Sequence, residues 1–343
     1  MNTLLGFFLA ALIVLPGFAR GSAQTGKVKV VTTLNYLRYL AQEVGGDRVV
    51  AVALANPQQD PHYVTPTPRM NQLATDADLF IENGLSLDLW QQNVVDASGN
   101  PKIQPGNPGH LIATVNVPAK ELPTEVSRAW GDIHPQGNPH VWLDPVNVRI
   151  IAQNIGERLM QLDPANSDYY QKRLEQYKTR LDVAMFGNEI LKLVGKSGGD
   201  ILTRKARNDE LTGWLKSRNL ESKLGGWMKK GEALNGTKVV SYHKTYIYLA
   251  DRFKFQIIGE LEEKPGIPPP PQHRDAVVDL VKREGIKAIL NDNFYSKDAA
   301  EYVASKTGAQ VVITYLDVGA TPGIDTYEKL ITLLLEEIEQ GTR

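Results

Sequence analysis

The chain contains no cysteine. That excludes disulfides, thiolate zinc sites, a thiol nucleophile and a lipidated N-terminal cysteine. It also lacks an excess of either charge, with 38 Lys and Arg against 39 Asp and Glu. Without a basic face or a block of like charge, nucleic acid is not an expected partner. No G-x-x-x-x-G-K-[ST] loop is present, so the sequence offers no P-loop for ATP hydrolysis. No H-E-x-x-H is present either, which removes the simplest general base of a zinc hydrolase. Apolar runs are scarce. The clearest, Leu4 to Leu15, is short for a bilayer span and is followed by small residues suited to cleavage, so residues 1–23 read as an export signal despite an n-region without Lys or Arg. Export without a lipidated cysteine points to a free periplasmic protein.

What the chain does contain is the mix of a soluble globular protein: 343 residues, 42% hydrophobic and 22% charged, enough for two ordinary cores. "KVKVVTTLN" (27–35) is β-rich, "YLRYLAQEVGG" has helical spacing, and "RVVAVALA" (48–55) is β-rich again. This βαβ opening predicts a parallel sheet covered by helices. "DADLFIENG" (76–84) and "HLIATVN" (110–116) continue it. A second series follows in "KVVSYH" (238–243), "FQIIGEL" (255–261), "IKAILND" (286–292) and "QVVITYLD" (310–317).

Between the two series, residues 166–194 place Tyr170, Leu174, Tyr177, Leu181 and Met185 at three- and four-residue intervals, which predicts one helix of roughly 40 Å. The expected organisation is thus an α/β fold: signal 1–23, N-terminal lobe 24–165, connecting helix 166–194 and C-terminal lobe 195–343. Within the last, 195–237 is polar and Gly-punctuated and reads as a solvated helical insertion. The proline run "PGIPPPPQH" (265–273) reads as a stiff loop.

The six histidines are few enough to place one by one. His62 follows a strand across "NPQQDPH", His243 ends "KVVSYH", and Asp317 ends "QVVITYLD". In open parallel sheets the ligand crevice lies beyond the carboxyl ends of the strands, so these three stand where a site is expected. His140, in "NPHVWLDP", arrives by a loop just before a helix, with Asp144 or a backbone carbonyl as candidates to orient its ring. Imidazoles with a carboxylate suit Zn²⁺, with Mn²⁺ and Fe²⁺ less favoured as nitrogen accumulates. His134, in "GDIHPQGNPH", reads as a solvent-exposed loop residue. His110 is expected to cap or face solvent, and His273 to start a helix.

Over roughly residues 28–335, apart from 195–237, the chain resembles the periplasmic metal-binding proteins of zinc and manganese ABC transporters. The resemblance rests on "DPHYVTPTP" (60–68), "DADLFIENGLSLDLW" (76–90), "NPHVWLDP" (138–145), "VVSYHKTYIYLADRF" (239–253), "KPGIPPPPQH" (264–273) and "DVGATPGIDTY" (317–327). It implies two α/β lobes on a long rigid helix, and no enzymatic activity. His62, His140 and His243 are the implied ligands, with Asp317 as the fourth, Asp292 the alternate, or water in that position. A histidine third ligand is similar to the zinc binders, whereas the manganese binders usually present a glutamate. The implied cargo is Zn²⁺, with Mn²⁺ the alternative. The implied partners are a membrane permease and a possible periplasmic metallochaperone, with the chain acting as a monomer. The long His-rich loop of many zinc binders is missing; only His134 lies near its place, where it could assist capture. An adhesin would use outer surfaces on which these motifs do not bear.

Overall fold

A computed structural model describes residues 26–124 and 134–343; the export signal expected over 1–23 lies outside them. The N-terminal lobe runs β1 Val28–Thr32, α1 Asn35–Gly45, β2 Val49–Ala53, α2 Pro68–Thr75, β3 Leu79–Glu82, α3 Gln91–Ser98 and β4 His110–Ile112. Its strands form a parallel sheet in the order β2-β1-β3-β4. Next come α4 Pro145–Leu162 and α5 Ser167–Phe186, then the short helices α6 Asn188–Val194, α7 Gly198–Arg207, α8 Leu211–Lys216 and α9 Gly226–Lys230. The C-terminal lobe repeats the plan with β5 Lys238–Ser241, α10 Ile247–Phe253, β6 Gln256–Glu260, α11 Pro271–Glu284, β7 Ala288–Asp292, α12 Asp298–Thr307, β8 Gln310–Thr314 and α13 Tyr327–Thr342. Its parallel order, β6-β5-β7-β8, matches that of the first sheet.

The local signals explain the boundaries. Thr67 accepts from the Met70 N–H to cap α2, with Pro68 following it, and Asp144 and Pro145 open α4 in the same way. The connecting helix is shorter than its periodicity predicts. Gly187, at φ +82°, ends α5 after 20 residues, or about 30 Å. A Cβ there would stand 2.9 Å from Gly225 Cα, so the glycine also permits a close crossing. At that crossing the Gly225 N–H donates to the Phe186 carbonyl at 2.7 Å, clipping the 195–237 segment onto the end of α5.

That segment is helical, as expected, but one face of it is not solvated. Leu202, Ala206, Leu211, Leu215, Trp227 and Leu234 are buried, and the Trp227 indole donates to Thr332 Oγ1 at 2.9 Å. They join a core that runs unbroken from β1 and α1 through α4 and α5 to Leu290, Val312 and α13. A smaller apolar cluster fills the other face of the C-terminal sheet, around Val240, Ile289, Val277 and Val281. The two lobes therefore share one interior, and the loops at the carboxyl ends of both sheets meet above it.

Candidate metal centre

His62 lies in the loop after β2, His243 two residues beyond β5, and His140 at the start of a 3₁₀ turn, Val141–Leu143, just before α4. Their ring centroids form a nearly equilateral triangle, with separations of 5.3, 5.3 and 5.4 Å. One ligand atom from each lies within 4.8 Å of the others. Three nitrogens on one Zn²⁺ would stand about 3.3 Å apart, so a small inward movement suffices.

Each ring is held through Nδ1 by a different partner. His62 Nδ1 meets Asp60 Oδ1 at 2.6 Å, His140 Nδ1 meets Asn138 Oδ1 at 3.0 Å, and His243 Nδ1 meets Glu262 Oε2 at 2.7 Å. With Nδ1–H donated outward, each neutral ring presents its Nε2 lone pair to the centre. The Asn138 amide is fixed from both ends. Its oxygen also accepts from the His140 N–H, while its nitrogen donates to Glu121 Oε2 and to the Lys244 carbonyl beside His243. Glu262 also accepts from the Gly266 N–H, the first contact of the proline-rich loop with the site.

The electrostatics follow from burial. Desolvation, then the neighbouring His62 and His243, hold His140 well below its usual pKa, so it is neutral. Burial alone would depress His243, but Glu262 outweighs it and raises the pKa. Burial likewise opposes ionisation of Asp60, yet its bonds to His62 lower its pKa below the usual carboxylate value. Two outer carboxyl groups, Asp60 and Glu262, thus stand directly behind the imidazoles of His62 and His243.

The expected carboxylate ligands do not join this group. Asp317 is buried with its oxygens on the backbone N–H groups of Asn35 (2.9 Å), Tyr36 (2.7 Å) and Val318 (2.8 Å), so it satisfies the N-terminus of α1 from the opposite lobe. Burial pushes its pKa up to about 6. Asp292 accepts from Thr245 at 2.8 Å and from Tyr246, and burial raises it to about 6 as well. Asp144 does not orient His140; it caps α4 and takes the guanidinium of Arg252 at 2.9 and 2.8 Å. Asn138 fills that role instead, and its position in "GNPH", two residues before the histidine, was the available signal. His110 is buried against Glu82 and the Ile103 carbonyl rather than facing solvent. His273 does lie in the first turn of α11. His134 is half-buried, with its ring 5.2 Å from that of His62, and so is not the exposed loop residue expected.

The chain matches, over residues 30–185 and 219–341, the family described as zinc-uptake complex component A, periplasmic, or ZnuA. It belongs to the ZnuA family. The match resumes at 219, inside the segment read from sequence as an insertion, so the stretch outside the family pattern is 186–218. Among relatives, the iron-binding protein YfeA of Yersinia pestis is 25% identical over 321 residues, covering 92% of this chain and 86% of that protein. A manganese ABC transporter substrate-binding lipoprotein, PsaA of Streptococcus pneumoniae, is 29% identical over 189 residues, 53% of this chain and 58% of that one. A crystal structure of ZnuA superposes with TM-score 0.67 at 18% identity, over 92% of this chain and all of the other. FpvC from Pseudomonas aeruginosa, solved with Mn²⁺, gives 0.67 at 20%, over 92% and 98%. ZnuA-family membership makes this chain the substrate-binding component of a metal ABC transporter, working with a permease and an ATPase, and not an enzyme. Among the described residues no helix is long and apolar enough to cross a membrane.

Proposed function

We propose that this protein captures Zn²⁺ in the periplasm, as a monomer, through His62, His140 and His243, and delivers it to its permease. The observation that carries the reading is the convergence of three buried imidazoles, each with Nδ1 engaged outward. Three nitrogen donors favour zinc over manganese, which prefers oxygen. Two outer carboxylates allow a dication to be buried without a net charge. Manganese is the second reading, supported by the name of the streptococcal relative, and iron-binding YfeA shows that the metal varies among relatives.

The test is calorimetric titration of metal-free residues 24–343 with Zn²⁺ and Mn²⁺, beside His140→Ala. One tight zinc site per chain, far weaker manganese binding, and loss of the site in the variant are expected. Tighter binding of Mn²⁺ than of Zn²⁺ would overturn the zinc assignment. Tight zinc binding by His140→Ala would overturn the ligand set.

A further inference from the structure

Three imidazoles leave the fourth vertex of a tetrahedral zinc ion open, and the acidic side chains around the centre are already engaged. Asp60 and Glu262 hold Nδ1 atoms, Asp317 caps α1, and Asp292 is bonded to Thr245 and Tyr246. Among the described residues, a fourth histidine, His134, stands beside the triangle. Its ring lies 5.2 Å from that of His62, as close as the three ligands lie to one another, and both its ring nitrogens are shielded from solvent.

The backbone explains why a loop histidine reaches this place. The Gly137 N–H donates to the His134 carbonyl at 3.0 Å, and the Asn138 N–H donates to the Lys120 carbonyl at 2.8 Å. Gly137, at φ +103°, lets the turn lie against residues 119–120, where a Cβ would meet the Lys120 oxygen at 2.7 Å. The turn is therefore built onto the same residue, Asn138, that orients His140. Pro135 and Gln136 at its tip are exposed, and Gln136 Oε1 accepts from Ser86 Oγ at 2.7 Å.

We infer that His134 supplies the fourth nitrogen, giving an all-imidazole site drawn from both lobes. This inference rests on the three-histidine reading of the centre. His134 stands outside the 4.8 Å group, so it engages by closing on an ion the other three already hold. Four nitrogens would sharpen the preference for zinc over manganese beyond what three provide.

The experiment uses Co²⁺ as a spectroscopic probe in the full mature chain, with azide as a test of an open coordination position. The wild type should show the intense visible bands of a four-coordinate site that azide does not change. His134→Ala should retain Co²⁺ but take up azide, and its zinc affinity should fall by about tenfold or more with manganese binding little altered. His134→Gln should behave like the alanine variant, and unchanged thermal midpoints of both metal-free variants would separate coordination from packing. If azide shifts the wild-type spectrum as readily as that of His134→Ala, or zinc affinity is the same in both, the inference fails. Loss of the visible bands in His140→Ala, measured alongside, keeps failure of this fourth ligand distinct from failure of the three-histidine centre.

Discussion

Glu262 accepts the Nδ1 proton of His243 at 2.7 Å, and both side chains are 5% exposed. The pair makes His243, the third of the proposed ligands, more than a lone imidazole. The carboxylate fixes the tautomer, turns Nε2 inward and raises the ring's basicity. Replacing Glu262 with Ala should weaken zinc binding by about 10–100-fold. Glu262→Gln, which keeps an acceptor but removes the charge, should fall between. Competition titration against a zinc chelator measures both, and an alanine variant with wild-type affinity would sink the orienting role.

Asn138 joins the two histidine-bearing loops, because its amide nitrogen donates to the Lys244 carbonyl while its oxygen serves His140. Asn138→Ala should therefore loosen both ligands at once and cost more zinc affinity than Asn138→Asp, whose carboxylate can still accept from His140. Equal losses for the two variants in the same titration would show that the contact with the C-terminal lobe, which both remove, is the dominant one.

Arg252 and Asp144 form a bidentate pair with side chains 6% and 4% exposed, and Arg252 also donates to the Ala206 carbonyl on α7. Removing one partner strands the other in the interior, so Arg252→Ala should lose about 3–5 kcal/mol in urea unfolding. Converting both residues to apolar ones of similar size should recover part of that loss. A loss below about 1 kcal/mol would place the pair with ordinary surface bridges.

Glu337 on α13 is half-buried, and desolvation, then Glu336, push its pKa up to about 7 from an ordinary 4.5. The native state thus holds this proton more tightly than the unfolded chain. Stability from this group is highest below pH 4.5 and is lost as pH rises through 7. Glu337→Gln should match the wild type near pH 4.5 and be the more stable by on the order of 1 kcal/mol at pH 8, allowing for solvent screening. Thermal midpoints at the two pH values decide it, and a constant difference would exclude the titration as its cause.

The βαβ alternation and the rule that ligands gather beyond parallel strand ends were legible in the sequence; the rule singled out His62, His243 and Asp317, of which the two histidines stand together with the loop residue His140. Less legible were the features made by chain segments meeting from far apart. Asp317 caps a helix 281 residues away through the Tyr36 N–H, a partner that local spacing does not reveal. Glu262 reaches His243 across a neighbouring strand, 19 residues on. The long helical periodicity through residue 194 was real on both sides of Gly187, but periodicity does not register a glycine that turns the chain at positive φ.

The shared interior sets how the cargo state can be communicated. Parting the lobes widely enough to expose roughly 400 Å² of apolar surface would cost about 10 kcal/mol, an open population of about one in ten million. Thermal agitation will not supply that conformation on its own. A full molecule and an empty one therefore have nearly the same outline, and whatever distinguishes them must read the texture of the rim around the histidines rather than the angle between the halves.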